Sequence, residues 1–192
     1  MFIHPNNNFK GNFESDFKKE INALKSIGIL KSFDKNDIVL REGSRSDFIF
    51  FVVNGAFRGF REIDGKEVTI GFSFEGDIDC CPLSYIQDLP SLDTIESLCE
   101  STILKVYKKD IQTKLPKDLN LEVFTNYMLS TYIETLVKRF MEFKAFTAEE
   151  CYTRLLDRHP KHLHLVPHMY IAAYLGITKE RLSRIRKKLQ LT

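Results

Sequence analysis

The chain has 192 residues, 43% of them hydrophobic, with a formal net charge of +2, enough for one large or two small domains with a proper core. No apolar run approaches the ~20 residues of a membrane helix. The opening Met1-Phe-Ile-His-Pro5 lacks the basic start and apolar stretch of a secretory leader, so a cytoplasmic protein is expected.

In chain order, residues 14–27 place Phe17, Ile21, Leu24 and Ile27 on one helical face. Short strand-like runs follow. They are Asp37 to Leu40, Phe48 to Val53, Phe57 to Ile63, Val68 to Phe74 and Ser101 to Tyr107, punctuated by Asn54-Gly55, Asp64-Gly65 and Gly76-Asp77. Strands this short and this regularly spaced predict a β-sandwich or jelly-roll.

After Pro116 the period changes to three or four. Leu121, Phe124, Met128, Tyr132, Leu136, Phe140 and Phe143 recur along one helix of roughly 119–144, without internal Gly or Pro. A second apolar set, Val123, Tyr127, Ile133, Val137 and Met141, widens the stripe. A helix apolar on two sides needs two partners, here the strands and a second copy of itself. A shorter helix is expected over 147–159.

The last segment is the most specific. Ile171, Ala172 and Leu175 make a short apolar helix, Gly176 a turn, and Thr178 a good N-cap for a second helix closed by Leu182 and Ile185. From Thr178 onward six Lys or Arg face one acid, Glu180. The charge is divided along the whole chain: residues 1–137 sum to −5 and residues 138–192 to +7. A basic helix held on an apolar base is what the DNA major groove accepts, so a helix-turn-helix on double-stranded DNA is expected. Only Gln190, Leu191 and Thr192 follow Leu189, too few for a wing hairpin.

In this order, leading helix, β-roll, long helix and helix-turn-helix, the chain resembles the Crp/Fnr family of bacterial transcription regulators. The resemblance lies in Ile38-Val-Leu-Arg-Glu-Gly43, Phe48-Ile-Phe-Phe-Val-Val-Asn-Gly55, Phe74-Glu-Gly76-Asp77 and Ile171 to Arg184. Residues 146–160 look like the Bacteroidetes-type branch, which usually has Arg-Tyr where this chain has Cys151-Tyr152. The resemblance implies an α+β protein. Residues 1–115 would form a cyclic-nucleotide-binding-like double-stranded β-roll flanked by helices, 116–144 a long dimerisation helix, and 145–192 the DNA-binding domain. It also implies a homodimer on a near-palindromic site, with Lys179, Glu180 and Arg184 at the base-reading positions. Glu180 can accept from a cytosine amine and Arg184 can fork onto guanine, whereas Lys179 loses the bidentate geometry of arginine. Thr178 and Ser183 would donate to phosphates, and Arg181, Arg186, Lys187 and Lys188 would contact the backbone or face solvent. An activator would also need a surface for RNA polymerase, which nothing in the sequence marks.

The ligand cassette departs from the family. It reads Gly76-Asp77, and its arginine segment aligns with Ser91-Leu92-Asp93. No Lys or Arg occurs between Lys66 and Lys105, an interval with eight acids. A buried phosphate there would lack a cation, so cAMP is not expected to bind in the usual way, unless Arg58 or Arg61 reaches in from a neighbouring strand. The effector is therefore unknown or absent.

Other chemistry finds little support. The histidines 159, 162, 164 and 168 have no thiolate nearby and two prolines among them, so they read as surface or DNA-proximal and not as a metal site. The four cysteines (80, 81, 99, 151) lack CxxC spacing and read as thiols of a reducing compartment. The sequence shows no nucleophile motif, phosphate loop or catalytic pair, so neither an enzyme nor a cofactor is expected. A competing reading keeps the roll as a small-molecule sensor or interaction protein whose helical end no longer reads DNA.

Overall fold

In the computed structural model, described for residues 2–3 and 13–190, nine strands form two antiparallel sheets and eight α-helices surround them. Apart from Phe2 and Ile3 the opening segment lies outside the described residues, as do Leu191 and Thr192. One sheet runs β1 (Phe2–Ile3), β7 (Ile78–Cys80), β4 (Phe48–Asn54), β9 (Ser101–Tyr107) and β2 (Ile29–Phe33). The other runs β3 (Ile38–Leu40), β8 (Thr94–Ser97), β5 (Ala56–Ile63) and β6 (Lys66–Phe74).

The uninterrupted apolar run of β4 follows from its position. Successive side chains of a strand point to opposite faces. Phe48, Phe50 and Val52 enter the roll interior with Phe57, Ile95 and Ile103. Ile49 and Phe51 face the other way, into a cluster with Leu24, Phe124 and Met128 from the helices. Both faces are buried, so no polar residue is tolerated between Phe48 and Val52.

The leading helical segment is broken at Phe17 into α1 (Phe13–Asp16) and α2 (Lys18–Ser26), and Phe17 packs edge-on against Phe124 at 5.5 Å. α3 (Pro82–Gln87) and α4 (Lys108–Lys114) are short connectors beside the first sheet. The long helix α5 runs from Leu121 to Ala145, and α6 (Ala148–Arg158) opens on a capping box between Thr147 and Glu150. α7 (His168–Tyr174) and α8 (Lys179–Lys188) complete the chain.

The C-terminal helices do not stand apart from the roll. Ala56, Phe72, Phe74 and Leu98 of the roll share one buried cluster with Tyr152, Leu155, Val166, Ile171, Leu175, Leu182 and Ile185. Phe72 and Phe74, two residues apart on β6, point to the same side. Phe72 meets Tyr174 at 5.5 Å, and Phe74 meets His159 at 4.8 Å and His162 at 5.5 Å.

At the β4–β5 turn, Gly55 has φ +89°, and a Cβ there would lie 2.1 Å from Ser101 Oγ and 2.8 Å from Ser101 Cα. That hydroxyl accepts from the Ala56 N–H and donates to the Cys99 carbonyl, so it cannot swing aside cheaply. Gly55→Ala should therefore destabilise the fold by roughly 2–4 kcal/mol, from left-handed strain plus a backbone clash. A urea midpoint unchanged from the parent would show that the turn can move.

Candidate DNA-binding helices and sensor cavity

α7 and α8 are joined at Gly176, whose φ of +64° is accessible to glycine and costly for other residues. No atom lies within 4 Å of the Cβ position, so backbone conformation alone demands glycine there. Ile177 N–H donates to the Ala172 carbonyl at 3.0 Å, closing the end of α7. Thr178 accepts from the Arg181 N–H at 3.2 Å and caps α8.

Leu182 and Ile185 hold α8 down, with 0% and 8% exposure. Thr178, Lys179, Glu180, Arg181, Ser183, Arg184 and Lys187 are all exposed. Lys179, Glu180, Ser183, Arg184 and Lys187 fall on the side away from Leu182 and Ile185, with Arg181 at its flank and Thr178 at the N-cap. The N–H of Glu180 itself and the Thr178 side chain hold the Glu180 carboxyl below its usual range, which keeps it an acceptor.

One basic residue differs from expectation. Arg186 donates to Tyr152 Oη at 3.4 Å and to His168 Nε2, which ties α8 to its neighbours. Lys188 pairs with Glu149 at 2.8 Å while its side chain stays 70% exposed. Burial and the Arg186 charge push the His168 ring below its usual range, consistent with a neutral acceptor. His162 stacks on Phe74 and His159 meets the same ring at a tilt, at the seam with the roll, whereas His164 and His168 of the same cluster are exposed. Among the described residues no group of His, Cys, Asp and Glu is placed to hold a metal, and none of the four cysteines is in a disulfide.

The cation that fastens α7 to the roll is Arg58, at 2% exposure. Its guanidinium donates to Glu96 at 2.5 Å and to Glu67 at 2.6 Å. It also lies between the rings of Phe60, 4.0 Å from its centroid, and Tyr170 of α7, 3.6 Å from its centroid. Arg61 is likewise engaged, with Asp93 at 2.8 Å and the Leu92 carbonyl at 3.0 Å. Neither arginine of β5 is available to a ligand's phosphate.

A cavity of about 40 Å³ lies between the roll and α5, walled by Cys80, Cys81, Ser91, Asp93, Tyr132 and Arg139 among others. Ser91 is in its wall as the cassette alignment suggests, but Leu92 is 48% exposed. Gly76 and Asp77 stand away from it in the β6–β7 turn, where Asp77 accepts from the Phe74 N–H at 2.8 Å. The turn that does line the cavity is Cys80-Cys81, whose lack of glycine hid it in the sequence. Arg139, the cation of this wall, comes from α5 and was not singled out in the sequence, where it is one of many basic residues on an amphipathic helix.

Comparison with known proteins agrees with this architecture. Residues 30–118 match the cyclic nucleotide-binding domain. No curated protein matches the chain in sequence. Among solved structures, FixK2 from Bradyrhizobium japonicum is 20% identical with a TM-score of 0.73, covering 85% of each chain. The c-di-GMP responsive global regulator CLP of Xanthomonas campestris is 16% identical with a TM-score of 0.69, covering 90% of this chain and 91% of its own. CooA from Carboxydothermus hydrogenoformans is 16% identical with a TM-score of 0.67, covering 91% and 84% respectively. The chain thus has a Crp/Fnr-like α+β fold, with a β-roll and a long helix.

Burial raises the Asp77 carboxyl to about 8, and it raises Asp79 as well. A carboxyl raised in the folded state binds more protons folded than unfolded between pH 3.8 and about 8. Stability therefore falls as pH rises through that window. Asp77→Asn keeps an acceptor for the Phe74 N–H and should shrink the fall. Urea midpoints measured at about pH 5 and about pH 9 would test this, and a fall as large as the parent's would remove Asp77 as its source.

Proposed function

We propose that this chain is a sequence-specific DNA-binding transcription regulator of Crp/Fnr type, acting in the cytoplasm as a homodimer on a near-palindromic site. The observation that carries the reading is α8. Its inner face is fully buried, and Lys179, Glu180, Arg184 and Lys187 are left together on an open outer face. On this reading Lys179, Glu180 and Arg184 face bases while Thr178, Arg181, Ser183 and Lys187 meet phosphates. Residues 1–115 act as the sensor, 116–144 as the dimerisation helix and 145–192 as the DNA-binding domain. Residues 146–160 support the Bacteroidetes-type branch, with Cys151 departing from the arginine usual there.

Dimerisation is supported by α5. Phe124, Met128 and Thr131 are its buried residues, whereas Ile133, Val137, Phe140 and Met141 are 55–60% exposed. They recur at spacings of three and four, as a helix–helix seam requires. A helix of 25 residues with this apolar stripe in water is costly unless a second copy covers it.

The cavity supports an effector other than cAMP. Ser91 stands where the cassette's arginine would be, and Arg58 and Arg61 are engaged elsewhere.

Footprinting on genomic fragments should show a two-fold protected site spanning about two helical turns, with affinity falling steeply as salt rises. Arg184→Ala should cost roughly 1–3 kcal/mol on that site and little on random DNA. Equal losses on both would refute its base-reading role. No fragment binding better than bulk DNA would favour a sensor whose helical end does not read sequence. In sedimentation the unaltered chain should run as a dimer, and Val137→Asp with Phe140→Asp should run as a folded monomer. A dimer that survives both changes would place the interface elsewhere.

A further inference from the structure

Strand β6 carries an irregularity beside the cavity. Its pairing with β5 passes from Gly59↔Gly71 to Phe60↔Thr69, leaving Ile70 as an extra residue. Such a bulge takes a residue's polar groups out of the ladder and re-aims them. The Ile70 carbonyl is met by Arg139 Nη2, and both residues line the cavity. Arg139 Nε is buried without a hydrogen-bond partner among the described residues. An orphaned donor on a guanidinium is expensive unless something accepts from it.

The charge balance of the walls has one sign to spare. Asp93, the carboxylate in the wall, is neutralised by Arg61 at 2.8 Å, so among the described residues of the wall Arg139 is the cation left without an ion pair. A volume of about 40 Å³ corresponds to roughly three waters on the same measure. That space suits an anion of three or four heavy atoms.

Arg139 also touches the DNA-binding end. Its guanidinium carbon lies 4.8 Å from the ring centroid of Tyr174, at the end of α7. Tyr174 packs at the same time on Phe72 of the roll, at 5.5 Å, and on Phe143 of α5, at 5.8 Å. Any ligand that takes a hydrogen bond from Arg139 re-weights a contact that holds α7 on β6.

We infer that the cavity binds a small planar oxyanion, of the carboxylate, nitrite, nitrate or bicarbonate class, through Arg139, and that Tyr174 transmits its occupancy to the helix-turn-helix. This deepens the regulator reading and rests on it for the consequence, but the binding itself can be measured alone. The anion accepts from Arg139 Nε, competes with Ile70 for the guanidinium, and draws positive charge off the face of Tyr174. By linkage, whatever the anion does to DNA affinity, DNA does equally to anion affinity.

The test titrates the unaltered chain with sodium formate, acetate, nitrite, nitrate and bicarbonate by calorimetry, with chloride at matched ionic strength and cAMP as controls. At least one of the five should bind saturably while chloride and cAMP do not. Arg139→Lys, which keeps the charge but removes the planar donor, should weaken it by at least about tenfold. In tyrosine-selective NMR of the unaltered chain, the Tyr174 signal should move along the same saturation curve, a readout that does not depend on a variant folding. Five anions binding no better than chloride, an affinity unchanged in Arg139→Lys, or micromolar cAMP binding would each overturn the site. Saturable binding with a stationary Tyr174 signal would overturn its coupling. An intact footprint with no anion response sinks this inference and leaves the regulator reading standing. Anion binding without any specific footprint does the reverse.

Discussion

Strand β6 is the constraint on which the rest of the molecule depends, because two modules bury their apolar surface against the same few residues. Phe72 and Phe74 belong to a strand of the roll and roof the C-terminal helices through Tyr174, His159 and His162. Apolar burial stabilises by about 25 cal/mol per Å², so large shared rings of this kind outweigh any single polar contact at the seam. The consequence is positional. α7 is set by the roll, α8 is set by α7 through Leu182 and Ile185, and the open face of α8 is aimed from the roll outward.

Charge is distributed to match. The roll is acidic, yet its buried cation Arg58 is spent on Glu96, Glu67 and the ring of Tyr170, and Arg61 is spent on Asp93. A buried guanidinium left without such partners would be strongly destabilising, which is why neither is free to serve a ligand. The cavity's cation must then arrive on another element. α5 supplies it with Arg139, one turn after Leu136 and Thr135 in the same wall. The C-terminal end keeps its exposed basic residues on α8 but commits Arg186 inward, to Tyr152 and His168.

The elements legible in the sequence were those with a strong local signal. Residues 121–145 and 179–188 follow a helical period, Thr147 and Thr178 cap their helices, β4, β5 and β6 fall where apolar runs meet Asn-Gly or Asp-Gly turns, and β9 is an apolar run of its own. β1, β2, β7 and β8 were not anticipated, the last three for different reasons. β2 is almost wholly exposed and so shows no alternation, while β7 and β8 are three and four residues long and carry buried acids, Asp79 and Glu96. The break at Phe17 was hidden because that ring belongs equally to either side of the kink. Of the candidate site, the exposed residues of α8 were legible because local periodicity alone sorts inner from outer positions. Arg139 was not, because nothing local distinguishes it from Lys138 beside it.

By itself the sequence determined the helix-turn-helix, the length of the long helix and its surplus apolar stripe, since each rests on spacing within one segment and on backbone rules such as the left-handed φ of Gly176. It also determined that no cation lies within the cassette interval, which is a matter of counting. Only the tertiary structure decided that Cys80-Cys81 and not Gly76-Asp77 lines the cavity, that both arginines of β5 are consumed, and that Arg139 reaches the bulge at Ile70. The side-chain pairs among them lie from 32 to 69 positions apart. Such pairs meet only when two sheets and a helix have packed, and the packing energy that brings them together is spread over the whole core and not written at either residue.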